Sequence, residues 1–285
     1  MKIDLHVHTS TGSDGGLSLA EVFEEAKKRN IDLISITDHD AINHQGQAIA
    51  LGKKHGITYI TGVELNVTFP FQGKNVSLDF LGYGYDYHNT ALKDKLRLIA
   101  DHRVKRARQI MDNLNVEFRR ENIPLLTETD VQKMQEGTDG VLSRPHIADY
   151  LINRGIVGGR QEAFDKYLVK CDVPKYPLLI SEASELIWQA GGKVVLAHPN
   201  DPHGTSLISI TDDLAVQGEI IGVNMLSYLD GIECWHTRND SATTQYYVDF
   251  CRKHDLVMTG GSDCHQKPVL LGTVAVPDFV AGQFQ

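Results

Sequence analysis

Two histidines stand two residues apart in the opening stretch MKIDLHVHTSTGSDGG. In a strand, residues i and i+2 leave the same face. His6 and His8 are therefore expected to project together with Asp4, opposite Ile3, Leu5 and Val7. Two imidazoles on one face can hold a metal ion. Asp263 and His265 in GGSDCH repeat this i, i+2 logic. Asp14 follows the first strand, and His39 in TDHD, Glu64 in GVE and His198 in AHP each end an apolar run. Five imidazoles and three carboxylates exceed what one ion needs and suit a cluster of two or three divalent ions. Nitrogen and oxygen donors without thiolate favour manganese, iron or zinc over a structural zinc–cysteine site. Two ions about 4 Å apart are a common device for phosphoester hydrolysis, activating water and neutralising phosphoryl charge. One His-x-His alone would be weak, because a strand-end histidine can be a hydrogen-bonded core residue, and Asp38 or Asp40 could cap a helix. The conjunction at five strand ends carries the reading.

The elements that must position these groups follow a strand–helix rhythm. Residues 2–8 read as a strand, Ser18–Glu21 as a capping box opening a helix, LISIT (33–37) as a buried strand, and 41–55 as a helix ended by Gly56. ITYITGVE (57–64) and SLDFLGYG (77–84) read as further strands. Strands alternating with amphipathic helices predict a parallel sheet with functional residues at the carboxyl ends of its strands. Residues 89–178 differ, showing helical spacing from Leu92 to Leu114, helix caps at Thr127 and Ser143, and a third helix over 160–169. The rhythm then returns with a helix capped by Ser181, strands at 191–199 and 229–236, the helix 241–254, and strands at 256–265 and 271–277. The expected organisation is an α/β domain in two pieces, 1–88 and 179–285, split by an α-helical insertion.

HVHTSTGSDG, ITDHD, GVE, LAHP and GGSDCH, in this order, resemble the polymerase and histidinol phosphatase (PHP) family. The resemblance spans nearly the whole chain. It implies an amidohydrolase-like, distorted (β/α)7 barrel with a multinuclear metal centre. It also implies ligand roles for His6, His8, Asp14, His39, Glu64, His198, Asp263 and His265. The family often has histidine where SLDFLGYG carries Asp79, so Asp79 is expected to be a metal ligand or a group supporting one. Manganese is the expected ion, with iron, zinc or magnesium as alternatives.

The substrate side needs cations that are not ligands. SRPHIA offers Arg144 and His146 at a helix N-terminus, where amides and the dipole favour an anion, and the arginine fork suits phosphate. The resemblance of this stretch is to phosphoesterases acting on nucleotides, including those that remove the 3′-phosphate of nucleoside 3′,5′-bisphosphates. Asp263 and His236 are the expected catalytic groups, His236 gripping phosphate or giving a proton to the leaving group. DHRVKRARQ (101–109) reads as a solvated helix face, and Tyr83, Tyr85 and Tyr87 as a barrel rim.

The bulk properties narrow the partners. The formal charge of −9, from 37 acidic and 28 basic residues, argues against a stable partner of long nucleic acid but admits a small phosphorylated substrate. Four cysteines without CxxC spacing read as reduced thiols. No basic–apolar leader and no membrane-length apolar run are seen, so a cytoplasmic location is expected. The rivals are a 5′–3′ exonuclease on short oligonucleotides, a histidinol phosphate phosphatase and a non-catalytic metal-binding module. An amidohydrolase cleaving C–N bonds would want a lysine at a strand end, and Lys193 begins its strand instead.

Overall fold

The computed structural model describes residues 1–136, 142–203, 205–265 and 268–284. Strand β1 (Ile3–Val7) pairs in parallel with β2 (Leu33–Ile36), and β2 with the short β3 (Thr58–Tyr59). Helices α1 (Leu19–Lys28) and α2 (Gln45–His55) make the crossovers. Ser18 Oγ accepts from the Glu21 amide, and the Glu21 carboxylate accepts from the Ser18 amide at 2.8 Å, the reciprocal cap read from the sequence. Helix α2 starts at Gln45 rather than Ala41. His44 and Gln45 are buried and spend their side chains on strand ends, Gln45 Nε2 donating to Gly62 O at 2.8 Å.

A second sheet holds β4 (Gly62–Phe71), β5 (Lys74–Tyr83), β6 (Lys193–Leu196), β7 (Gly231–His236) and β8 (Val257–Gly261) in that order. Strands β6, β7 and β8 are parallel, whereas β4 with β5 and β5 with β6 are antiparallel. This corrects the expectation of a parallel sheet throughout. β4 and β5 form a long hairpin turned by Gln72 and Gly73, both left-handed at φ 49° and 77°, the geometry that suits the twist of a two-residue hairpin. The two sheets meet edge to edge at single bridges, Val7 to Cys264 and His39 to Glu64. Their ladders do not join, so the structure is mixed α/β without a closed (β/α)7 barrel.

Residues 271–277 are a second correction. They form no strand, and β8 is the last one. The Gly272 amide donates to Asp4 Oδ2 at 2.7 Å and Thr273 N to Leu270 O at 3.0 Å, so this segment turns where a ladder would need free amides.

Between β5 and β6 run α3 (Thr90–Glu121), α4 (Glu128–Glu136), α5 (Arg144–Asn153) and α6 (Arg160–Ala163), the last passing into a π-helical stretch over Phe164–Leu168. Asn89 Oδ1 caps α3 by accepting from the Leu92 amide at 3.0 Å. Helix α3 spans two cores. Leu92, Leu96 and Ile99 pack with β4, β5 and β6, while Ile110, Leu114 and Phe118 pack with Leu151, Tyr167 and Leu168. Its apolar stripe is interrupted between them, where His102, Arg103 and Arg106 stand.

Helices α7 (Ile180–Gln189), α8 (Leu214–Asn224), α9 (Ser241–His254) and α10 (Phe279–Gly282) complete the chain. Ser181 does not cap α7; it lies inside the first turn, and Leu179 occupies the cap position. Tyr83 and Tyr85 are core residues, their hydroxyls donating to Leu5 O and Gly62 O, and Tyr87 packs against the same core. They are not a rim. Among the described residues no helix is long and apolar enough to cross a membrane. The four cysteines are free and buried.

Candidate metal centre

The centre is built where the two sheets meet. The Asp263 amide donates to His6 O at 2.8 Å and the His8 amide to Cys264 O at 3.2 Å, so the ends of β1 and β8 are locked together. A Cβ on Gly261 would stand 2.3 Å from the His6 nitrogen, so only glycine permits this approach. The β1 register shifts between Asp4 and Val7, and that of β7 between Glu233 and Trp235. Bulges re-aim side chains beside functional sites. Strict alternation along β1 accordingly fails, because Ile3 and Leu5 pack in one core cluster and Val7 in another. Asp40, His198 and Asp263 have left-handed backbones, at φ 52°, 23° and 50°, a strained conformation for such residues that persists where the surroundings enforce it.

His6 Nε2 and His8 Nε2 face each other at 3.1 Å. Glu64 Oε2 lies 3.5 and 3.2 Å from them, and Asp263 Oδ1 3.4 and 3.3 Å. Ligands bound about 2.1 Å from one ion stand roughly 3.0–3.4 Å apart, so these four atoms have the mutual spacing of a coordination shell. Glu64 reaches further, with Oε1 3.0 Å from His198 Nε2 and Oε2 3.0 Å from His39 Nδ1. Asp14 Oδ1 lies 3.4 Å from His265 Nε2 and 3.9 Å from His39 Nε2. Glu64 Oε2, Asp14 Oδ1, Asp263 Oδ1 and His198 Nδ1 are buried yet take part in no hydrogen bond. Buried polar atoms are rarely left so, and divalent ions would satisfy them. The donor set fits two or more such ions.

The charges agree. Burial works to raise the Glu64 carboxyl, but His39 and His6 hold it well below the usual carboxylate range. Burial likewise opposes ionisation of Asp263, and His265 and His6 overcome it. Burial lowers the His198 imidazole, but its hydrogen bond with Glu64 and the charge of that group push it up to about 9. In protein stripped of metal His198 is therefore protonated at neutral pH, and a divalent ion must displace that proton. Apparent metal affinity is expected to rise as pH rises from 6 to 8. Calorimetry in two buffers of different ionisation enthalpy should register proton release; equal heats in both would contradict it.

Most residues expected from the sequence converge here, namely His6, His8, Asp14, His39, Glu64, His198, Asp263 and His265. Asp79 is close but belongs to no such donor cluster among the described residues. Asn66 Nδ2 donates to its Oδ1 at 2.6 Å and Thr205 Oγ1 to its Oδ2, while burial and the charge of Glu64 raise its carboxyl. His236 Nε2 is buried, unpartnered, and 3.6 Å from Asp263 Oδ2. Arg144 reaches the cavity and pairs with Asp172 Oδ2 at 2.6 Å. His146 caps its own helix, Nδ1 accepting from the Ser143 amide at 3.1 Å.

Three supporting acids escaped the sequence reading. Glu233, fully buried on β7, accepts from His6 Nδ1 at 3.0 Å and from the His198 amide at 2.9 Å. The signal was available as an acid inside the apolar strand GIECW. Glu233→Gln is expected to weaken metal binding about 10- to 100-fold, as removal of such orienting partners does; a metal titration unchanged from the parent would contradict this. Asp38 does not cap α2. It accepts from Thr9 N, Thr9 Oγ1 and Ser13 Oγ, each at 2.6 Å. Asp201 joins Asp263 and His236 in a further donor group and pairs with Arg238 at 2.9 Å.

A cavity of about 600 Å³ opens onto these groups. Asp14, His39, His198, Asp263 and His265 line it, together with His102, Arg103, Arg106, Arg144 and Tyr176. The run 101–109 is thus not simply a solvated face. Arg103 pairs with Asp40, and Arg106 is buried against Asp172 and the carbonyl of Val173.

The PHP-domain family profile matches residues 4–150, just over half of the chain. The chain belongs to the PHP family. Over 273 residues it is 31% identical to a 3′,5′-nucleoside bisphosphate phosphatase of Chromobacterium violaceum, covering 92% of this chain and 87% of that one. It is 33% identical over 273 residues to a 5′–3′ exoribonuclease of Haemophilus influenzae, covering 93% and 90%. Among solved structures, a candidate metal-dependent phosphoesterase from Bifidobacterium adolescentis superposes with TM-score 0.81 at 27% identity, over 99% of this chain and 94% of that one. That solved relative's description as a metal-dependent phosphoesterase agrees with the chemistry of the donor set.

Proposed function

We propose that this PHP protein is a metal-dependent phosphoesterase that removes the 3′-phosphate of a nucleoside 3′,5′-bisphosphate. The observation that carries the reading is one cavity lined both by members of a nitrogen–oxygen donor cluster and by guanidinium groups. His6, His8, Glu64 and Asp263 would hold one divalent ion, Glu64 with His198 a second, and Asp14, His39 and His265 a third. Manganese suits these donors, and Asp79 supports them through its hydrogen bonds with Asn66 and Thr205. When bound, the ions polarise the phosphoryl group and lower the pKa of water.

The chain's own groups do the rest. The guanidinium of Arg144 can bond two phosphate oxygens. His146 fixes the first turn of α5, whose amides favour the same anion. His236 Nε2, with Asp263 Oδ2 beside it, grips phosphate or holds a proton for the leaving oxygen. The helices of residues 89–178 act as an inserted subdomain that brings Arg103, Arg106 and Arg144 to the cavity. Buried free thiols support a cytoplasmic setting.

The identity to an exoribonuclease favours one second reading, trimming of short RNA from the 5′ end. Manganese-loaded protein should be offered adenosine 3′,5′-bisphosphate beside histidinol phosphate and a short 5′-phosphorylated RNA. The proposal expects fastest phosphate release from the bisphosphate. Mononucleotides from RNA, with no release from the bisphosphate, would replace it with the second reading.

A further inference from the structure

Two of the four free cysteines touch. Cys234 Sγ on β7 and Cys251 Sγ on α9 lie 3.7 Å apart, both fully buried in the core that joins these elements. Cys171 and Cys264 belong to other core clusters. A disulfide has an S–S bond of about 2.05 Å. The two sulfurs therefore stand about 1.7 Å too far apart for a bond, and one element must move to close the gap.

The backbone on each side decides which element moves. Cys251 sits in the last turn of α9, and its carbonyl accepts from the amides of Asp255 and Leu256, the latter at 2.9 Å. That end of the helix is fixed. Cys234 is held differently. Glu233 pairs with Thr259 and Trp235 with Gly260, so Cys234 is the extra residue of a bulge in β7. Its carbonyl accepts from a side chain, Asn239 Nδ2, at 3.0 Å. A bulge is the pliable point of a ladder, so it takes up the movement.

The neighbours of the bulge serve the metal centre. Glu233 accepts from His6 Nδ1 at 3.0 Å and from the His198 amide at 2.9 Å. Hydrogen bonds of this length weaken steeply when one partner shifts on the ångström scale.

We propose that Cys234 and Cys251 are an oxidative modification site, at which a peroxide joins them in a disulfide that draws Glu233 off His6 and loosens the metal. One thiolate attacks the peroxide, becomes a sulfenic acid and releases water. The second sulfur then attacks the first, and a second water leaves. The two sulfurs give up two electrons, and the peroxide departs as two waters with their two protons. A dithiol reductant reverses the change by exchange. Burial, with Cys251 beside it, keeps Cys234 in its thiol form, and buried thiols react slowly. Oxidation must therefore follow local opening of α9 from β7, and the site answers sustained oxidant rather than a brief pulse. The inference concerns the metal centre and does not depend on which phosphoester is cleaved.

Zinc-loaded full-length protein is the sample for the test, because zinc does no redox chemistry of its own. Prolonged hydrogen peroxide is expected to yield a Cys234–Cys251 disulfide by peptide mass mapping. Zinc should then be held about tenfold more weakly against a competing chelator, as when an orienting partner of a ligand is lost. Dithiothreitol should restore both. Cys251→Ala leaves every residue of the metal centre in place and should keep its zinc through the same treatment; Cys234→Ala serves if that variant does not fold. Absence of the disulfide, a disulfide with unchanged zinc retention, or equal loss of zinc from the alanine variant would overturn the proposal. If neither variant folds, the mapping and the dithiothreitol reversal in the parent decide it.

Discussion

Glu64→Gln is expected to lower kcat by about 10³-fold or more with saturating metal present. Glu64 is the acid on which the donor cluster turns, within 3.5 Å of His6, His8, His39 and His198. Glutamine keeps the volume and removes the charge. Metal-ion stabilisation of phosphoryl charge supplies several kcal/mol, and each 1.36 kcal/mol is about tenfold in rate. The bound-metal content measured by elemental analysis should fall together with kcat. A variant that keeps its full metal complement and turns over within tenfold of the parent would show that Glu64 is not a shared ligand.

Asp38→Ala should have the largest effect on stability. Asp38 is fully buried, accepts three hydrogen bonds from Thr9 and Ser13, and lies 3.0 Å from His44 Nε2. Burial works against its ionisation, but the hydrogen bond with His44 and the charge of that ring hold its carboxyl below the usual range. Removing one partner of a buried charged network costs about 3–5 kcal/mol. For a chain of this size that corresponds to a melting point lower by roughly 10 °C. The loop tied down by Asp38 carries Asp14, so metal affinity should fall as well. A melting point within about 2 °C of the parent's would contradict the proposed anchoring role.

These residues show what the sequence made legible. His39 and His198 could be read because each follows an apolar run, and such runs have few structural reasons to recur; Glu64, expected to end a strand over 57–64, is the third residue of β4. Caps such as Ser18 and Ser143 could be read because their rules are local. The β4–β5 hairpin could not, since Gln-Gly is a weak turn signal and the run after it looked like one more parallel strand. The role of α3 was hidden for a different reason. A charge run looks the same whether it faces water or a polar cavity, and only tertiary packing shows that Arg103 and Arg106 turn inward. Glu233 and Asp38 were missed because supporting acids act through other side chains at long sequence separation, His6 being the partner of Glu233.

The most direct test of the central claim is hydrolysis of adenosine 3′,5′-bisphosphate in ¹⁸O-labelled water by metal-loaded protein, with a chelated sample alongside. Attack of water at the 3′-phosphorus predicts one labelled oxygen in the released phosphate, unlabelled adenosine 5′-phosphate as the other product, and no turnover in the chelated sample. Label in the nucleoside, release of the 5′-phosphate, or equal turnover after chelation would contradict the account.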